Sequence, residues 1–410
     1  MNQTRLQKYA QLVVKVGVNV QEGQMVVINS PVECAPFTRM VVEEAYKAHA
    51  SYVYVRWNDD IVKKSYYTYA SIDVIKDVPK YLVEQYQEFV DKKAAIISIS
   101  APTPGLLKDI DPSKIQAESI AFEEKLGFYR QFMMANGSQW VVVSYPTIEW
   151  AKKVFPDKSE DDAYNSLLEA ILQACRVEEN NDPVLEWDQH MKKLADHNKK
   201  LNDYNFKSLH FKNSLGTDLV IGLVENHIWA GGGETSQTGV YFAPNIPTEE
   251  TFTMPHRELV NGKVVATKPL NYQGKLIEDF YLVFKDGKVV EYGAKKEQET
   301  LKSLLELDEG SSRLGEVALI SYDSPISKTN ILFYNTLFDE NASCHLALGN
   351  AYSMNIKDGV KMSEDELMKL GYNKSMEHVD FMFGSRDLEI IGTTHDGKEI
   401  EVFKNGNFVF

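Results

Sequence analysis

Four runs rich in β-branched and aromatic residues alternate with longer stretches of helical spacing. They are Met25–Asn29 (MVVIN), Tyr52–Trp57 (YVYVRW), Ala94–Ser100 (AAIISIS) and Trp140–Ser144 (WVVVS). The helical stretches include Ala35–Ala48, Pro79–Asp91 and Pro112–Met134. Runs this short, bounded by polar and turn residues, read as buried strands. A strand–helix–strand rhythm needs crossover connections, so the first half is predicted to be an α/β domain with a mostly parallel sheet. The rhythm then stops. Asp161–Asn202 is helical and highly charged, which suits a connecting segment. Beyond Leu209, short strands are separated by Gly and Asn turns at Asn213–Thr217, Ala230–Gly233, Asn261–Lys263 and Lys285–Lys288. Those hairpin signals suit a largely antiparallel α+β domain. Helical patterns return at Lys296–Leu307 and around Ala342–Tyr352, and a β ribbon punctuated by Gly397 and Gly406 closes the chain. The reading is two domains: residues 1–205, α/β with a helical connection, and residues 206–410, α+β and carrying the chemistry.

A chain of 410 residues is long enough for two such cores. Its formal charge of −15 makes nucleic acid and anionic membranes poor partners, because phosphates are repelled at long range. A cationic group, such as the free amino terminus of a peptide, is tolerated. Met1–Val20 carries Arg5, Lys8 and Lys15 and lacks an unbroken apolar core, so it does not read as a signal peptide. No run of about 18 apolar residues is present to span a membrane. Cys34, Cys175 and Cys344 are widely spaced, so no disulfide framework is expected. A cytoplasmic location follows as the expectation.

Four pieces of the second half set acids and histidines among apolar or glycine neighbours. They are Asn245–Pro255 (NIPTEETFTMP), Gly315–Ile320 (GEVALI), Asn335–Tyr352 (NTLFDENASCHLALGNAY) and Asn373–Gly384 (NKSMEHVDFMFG). Buried charge needs a partner, and a metal cation suits several carboxylates together. In His378-Val379-Asp380-Phe381, strand alternation puts His378 and Asp380 on one face, as metal ligands or as a structural pair. Asp339, Glu340 and His345 sit where an extended segment is predicted to enter a helix, with Asn341 or Ser343 as N-cap. Glu340 then lies on the preceding loop. Tyr352, seven residues after His345, returns to the same helical face, as a core aromatic or as a phenol in the cavity. Glu249 and Glu250 point in opposite directions if extended, so one of them is a ligand candidate. Pro244 and Pro247 stiffen the approach. Glu316 opens the apolar run Val317–Ile320 and is placed at a strand start. Other motifs are missing: His-Glu-x-x-His, Walker A and Gly-x-Ser-x-Gly do not occur. Gly231-Gly232-Gly233 reads as a tight or mobile loop, and Cys344 as packing.

Taken together, the four pieces resemble the M29 metallopeptidase family of aminopeptidases T, S and PepS, over essentially the whole chain. The carrying motifs are NIPTEE-x-FT at Asn245–Thr253, Gly315-Glu316, DENASCHLALG-x-xY at Asp339–Tyr352 and HVDFM-x-G at His378–Gly384. Thr251 departs from the apolar residue expected after the paired glutamates. The resemblance implies two divalent metal ions (Zn, Co or Mn) held by Glu250, Glu316, Glu340, His345, His378 and Asp380, with Glu316 between them. It implies a catalytic role for Tyr352, peptide substrates with a free amino terminus, and a homodimer; the mechanism expected for such a site has Glu316, or else Glu249, as the general base. Oxygen and imidazole donors without a thiolate are chemically apt for those metals. Two other readings fit a carboxylate–histidine cluster. A two-metal phosphoesterase would need basic residues near the ligands, and the four pieces supply only Lys374. A non-enzymatic metal-stabilised binding protein would have a closed coordination sphere.

Overall fold

The computed structural model describes residues 3–273 and 275–410. By compactness the chain divides into two units, Met1–Met191 with Gly233–Pro247, and Lys192–Gly232 with Thr248–Phe410.

In the first unit the four expected strands form as β1 (Met25–Pro31), β2 (Tyr52–Asn58), β3 (Ala95–Ser100) and β4 (Trp140–Ser144). They pair in the order β2-β1-β3-β4, and every pairing is parallel. The crossovers include Ala35–Lys47, Lys80–Asp91 and Pro112–Met134, close to the stretches read from helical spacing. Local chemistry sets their starts. Asp111 accepts from the Ser113 N–H and Pro112 supplies the first helical position, where a missing N–H costs nothing. On one sheet face Val27 and Ile96 pack with Phe89 and Ala94.

The second unit carries two antiparallel sheets. The larger has nine strands and runs from Leu270–Tyr272 through Pro255–Val265 and Ser208–Lys212 to Asn407–Phe408. The expected turns at Asn213–Thr217 and Lys285–Lys288 fall between strands or at their ends. Asn261–Lys263 does not turn; it lies inside the eleven-residue strand Pro255–Val265. Gly262 there has φ +118°, and a Cβ would sit 2.2 Å from the Asp218 carbonyl oxygen. That glycine serves a close approach of two strands rather than a reversal.

The smaller sheet has four strands in the order His378–Met382, His345–Gly349, Leu314–Leu319, Thr251–Thr253, all antiparallel. Each of the four acid- and histidine-bearing pieces contributes one strand. The helix expected around Ala342–Tyr352 is not formed. A 3-10 turn, Glu340–Ala342, leads into the strand His345–Gly349, which is bonded on both edges. Leu, Ala and Leu favour helix locally, but the same run alternates with period two, and pairing with two neighbours overrides the local preference.

Candidate metal centre

Alternation on the smaller sheet sorts its residues onto two faces. Val317, Leu319, Leu346, Leu348 and Phe381 enter the main apolar core, with Val379 packed against it. The opposite face carries Glu316 and Ala318, then His345, Ala347 and Gly349, then His378 and Asp380. Ala347 pairs with Glu316 on one side and Asp380 on the other, so a methyl group separates two acids on the strands that flank its own. Small side chains in the middle of this face leave room above it.

The side chains converge. His345 Nε2 lies 3.2 Å from Glu316 Oε1, 3.6 Å from Glu250 Oε2 and 3.9 Å from Asp380 Oδ1. His378 Nε2 lies 3.3 Å from Asp380 Oδ1 and 3.6 Å from Glu316 Oε2. Two groups of metal-ligating geometry result, Glu250–Glu316–His345 and Glu316–His378–Asp380, each with its ligand atoms within 4.8 Å of one another. Glu316 belongs to both. Glu340 is in neither group, but its charge is felt together with Glu250, Asp380 and His345. Tyr352 follows the strand that begins at His345, so the two share no helix; the phenol ring still reaches 4.8 Å from the His378 ring. Cys344 turns away: its sulfur lies 3.3 Å from both N and O of Ile320.

Backbone features hold these groups in place. His378 Nδ1 donates to the Asn350 carbonyl at 2.6 Å, which aims Nε2 at the acids. Gly315 precedes Glu316 at a register shift, and a Cβ there would lie 2.4 Å from the carbonyl oxygens of Gly349 and Asn350. Asn341, fully buried, accepts from the Glu249 N–H at 2.8 Å and donates to Leu337 O at 3.0 Å and Glu340 Oε1 at 3.4 Å. It ties the Glu249–Glu250 segment to the Glu340 turn. Gly231, with φ +130°, lets the glycine loop pass the Glu250 carbonyl, which a Cβ would approach to 2.3 Å. Asn198 donates to Gly231 O at 2.9 Å and accepts from Thr251 Oγ1 at 2.7 Å. Thr251 therefore departs from an apolar residue because its hydroxyl has a partner on the helix Pro183–Tyr204. Asn341 sits within the DENASCHLALG block, where a neutral amide among acids is a signal that could have singled it out. The Asn350 carbonyl leaves no trace in side-chain identity.

Titration follows from this crowding. Burial, with neighbouring carboxylates, lifts Glu250 to about 7 and Glu340 well above the carboxylate range. Burial would depress both imidazoles, but the Glu316 hydrogen bond and the acids raise His345 to about 10, and Asp380 and its neighbours raise His378 to about 9. Burial alone would raise Asp380; the His378 ring, its Nε2 3.3 Å from Oδ1, carries it below its usual value. Four acids and two imidazoles thus crowd one site, and Asp380 Oδ1, buried, has no hydrogen-bond partner. An oxygen- and nitrogen-rich set with a spare buried oxygen fits divalent cations.

A cavity of about 230 Å³ adjoins the cluster on the side of Glu340, His378 and Asp380.

Comparison with known proteins agrees with this chemistry. The family described as "Thermophilic metalloprotease (M29)" matches residues 2–408. Aminopeptidase 2 of Geobacillus stearothermophilus is 46% identical over 405 residues, covering 99% of this chain and 98% of its own. Aminopeptidase AmpS of Bacillus subtilis (strain 168) is 47% identical over 406 residues, with the same coverage of 99% and 98%. The solved structure of wild-type AmpT from Thermus thermophilus superposes with a TM-score of 0.92 at 36% identity, over 100% of each chain. With the match running from end to end, the chain belongs to the M29 family of metalloproteases.

Proposed function

We propose that this protein is a metal-dependent aminopeptidase that releases the first residue from peptides with a free amino terminus. In this reading Glu250, Glu316, Glu340, His345, His378 and Asp380 would hold two divalent ions (Zn, Co or Mn), Glu316 belonging to both ligand groups. The observation that carries it is the pair of ligand groups that share Glu316. A bound ion pair supplies a Lewis acid for the scissile carbonyl and a water of lowered pKa.

The chain's own groups do the rest. An acidic side chain of the cluster would help to hold the substrate's α-amino group, which restricts cleavage to the first residue. Tyr352 donates its phenolic hydrogen to the oxyanion that develops on the attacked carbonyl. Although Tyr352 is 39% exposed, burial of its inner part and the surrounding acids, Glu316 and Asp380 foremost, hold the phenol above its ordinary value, so it carries the proton it donates. Glu316, or Glu249 beside the cluster, takes a proton from the attacking water and delivers it to the leaving amine. A homodimer in the cytoplasm completes the reading. The dimer rests on the family resemblance, and the compartment on three buried cysteines, all free thiols.

A free amino-acid arylamide compared with its N-acetylated form, with and without chelator, tests the reading. Cleavage of the free form alone, lost with chelator and restored by metal, is expected. Equal cleavage of both forms, or indifference to chelator, contradicts it.

A further inference from the structure

Tyr352 lies on a short connection whose two ends are pinned. Upstream, the Ala351 N–H donates to the Asn373 carbonyl at 2.9 Å, and the Ala351 carbonyl accepts from the Tyr372 hydroxyl at 2.7 Å. Downstream, the 3-10 turn Ser353–Asn355 closes with the Asn355 N–H donating to the Tyr352 carbonyl at 3.1 Å. Between these pins the Tyr352 ring meets Phe252 edge-on, with centroids 6.2 Å apart, and the His378 ring at 4.8 Å. Ring contacts alone hold a half-exposed phenol loosely, so its aim is set by the backbone that carries it.

Asn355 fastens that backbone. Its side chain is buried, and Nδ2 donates to the carbonyl oxygens of Ile228 at 3.1 Å and Phe252 at 3.4 Å. Phe252 is the residue against which the Tyr352 ring packs, and it belongs to the strand Thr251–Thr253, which follows Glu250 directly. One carboxamide therefore joins the turn that carries the phenol to the strand that carries on from a candidate metal ligand. Neither acceptor depends on it: Phe252 O also accepts from the Ala230 N–H at 3.0 Å, and Ile228 O from Thr253 Oγ1 at 2.9 Å. The turn keeps backbone bonds of its own, from the Ile228 N–H to Asn355 O at 2.8 Å and from the Lys357 N–H to Asn226 O at 3.1 Å. The strand stays paired with Leu314–Leu319. What the carboxamide adds to a framework already bonded is a fixed spacing between turn and strand.

We propose that Asn355 is a positioning residue for the reaction, holding the Tyr352 phenol in register with the metal ligands. The proposal rests on the aminopeptidase reading and on the role that reading gives to Tyr352. A donor to a developing oxyanion acts over roughly 2.7–3.1 Å. Misplacing such a group by about 1 Å can cost about a hundredfold in rate.

The test uses metal-loaded Asn355→Ala and a free-amino Leu arylamide. kcat is expected to fall about 10–100-fold, with KM and bound metal within about twofold of wild type. In a Tyr352→Phe background the same change should cost less than about twofold, because the hydroxyl it positions is already gone. A residue serving the fold alone would lower kcat by the same factor in either background. Asn355→Asp keeps the shape but sets a carboxylate oxygen against the two carbonyls; it should repeat both results, so the idea does not depend on one variant folding. Unchanged kcat or loss of metal in either folded variant, or losses that multiply with Tyr352→Phe, would overturn the role of Asn355 while the aminopeptidase reading stands. Full activity of Tyr352→Phe alone would instead remove the role of the phenol, and its positioning with it. Failure of wild type to cleave any free-amino arylamide would remove the underlying reading.

Discussion

Gly315→Ala adds one methyl group where the smaller sheet has no space for it. The new Cβ would sit 2.4 Å from the carbonyl oxygens of both Gly349 and Asn350, whereas ordinary contact begins near 3.4 Å. Both obstacles are backbone atoms, so the relief must come from moving a strand by about 1 Å. Overpacking of this kind costs roughly 1–3 kcal/mol. At ~2–4 °C per kcal/mol for a unit of this size, Tm should fall by several degrees. The Asn350 carbonyl is also the acceptor that orients His378, at 2.6 Å, so the damage extends to the metal centre. Disturbing such a supporting partner typically weakens metal binding about 10–100-fold. Calorimetric titration of the metal-free protein with cobalt, alongside thermal denaturation, measures both effects. Gly127→Ala is the control. Gly127 lies inside the helix Pro112–Met134, where a Cβ meets nothing nearer than 3.5 Å, so the same methyl should stabilise by about 0.5–1 kcal/mol. A Gly315→Ala protein that melts with wild type and binds cobalt equally well would refute the account of how this glycine frames the site.

Three further outcomes follow from the same geometry. Dialysis against chelator should lower Tm, and metal at 100 times its Kd should restore about 2.7 kcal/mol, a difference that Glu316→Gln should largely abolish in a melting experiment. Asn341→Ala should cost roughly 1–3 kcal/mol in denaturant titration, because the Glu249 N–H loses its acceptor inside the protein, and it should weaken metal binding by loosening the Glu249–Glu250 segment. Tyr352→Phe should lower kcat about 10²–10³-fold with metal content unchanged by elemental analysis; loss of metal would contradict the role given to the phenol.

How far the sequence could be read depended on whether a signal was local. The strands Tyr52–Asn58 and Trp140–Ser144 and the helix Pro112–Met134 carry their own evidence in β-branched runs, an Asp-Pro cap and helical spacing, and they were legible almost to the residue. His345–Gly349 was not, since Leu-Ala-Leu suits a helix and only pairing with two strands distant in sequence decides for extension. For the same reason Tyr352 could be connected to His345 by a wrong geometry and still arrive beside the cluster. Glu249 and Glu250 stayed open because the groups near Glu250, Glu316 and His345, lie far away in sequence. The cavity was invisible beforehand: its walls come from segments far apart in sequence, as in the bond from Tyr272 to Glu377.

The face that gathers the acids also explains why the frame around them is so constrained. Carboxylates on neighbouring strands repel, and a flexible scaffold would let them part and take up water. Here Ala347 lies between Glu316 and Asp380 in a three-strand row whose reverse side is locked into the core by Val317, Leu346 and Leu348. Separation of the acids would require the sheet to break its packing, so the repulsion persists until cations relieve it. The raised values of Glu250 and of both imidazoles express that same tension as retained protons. Protons and metal ions are thus alternative ways of neutralising one rigid array, and the rigidity comes from apolar residues on the far side of the sheet rather than from the ligands themselves.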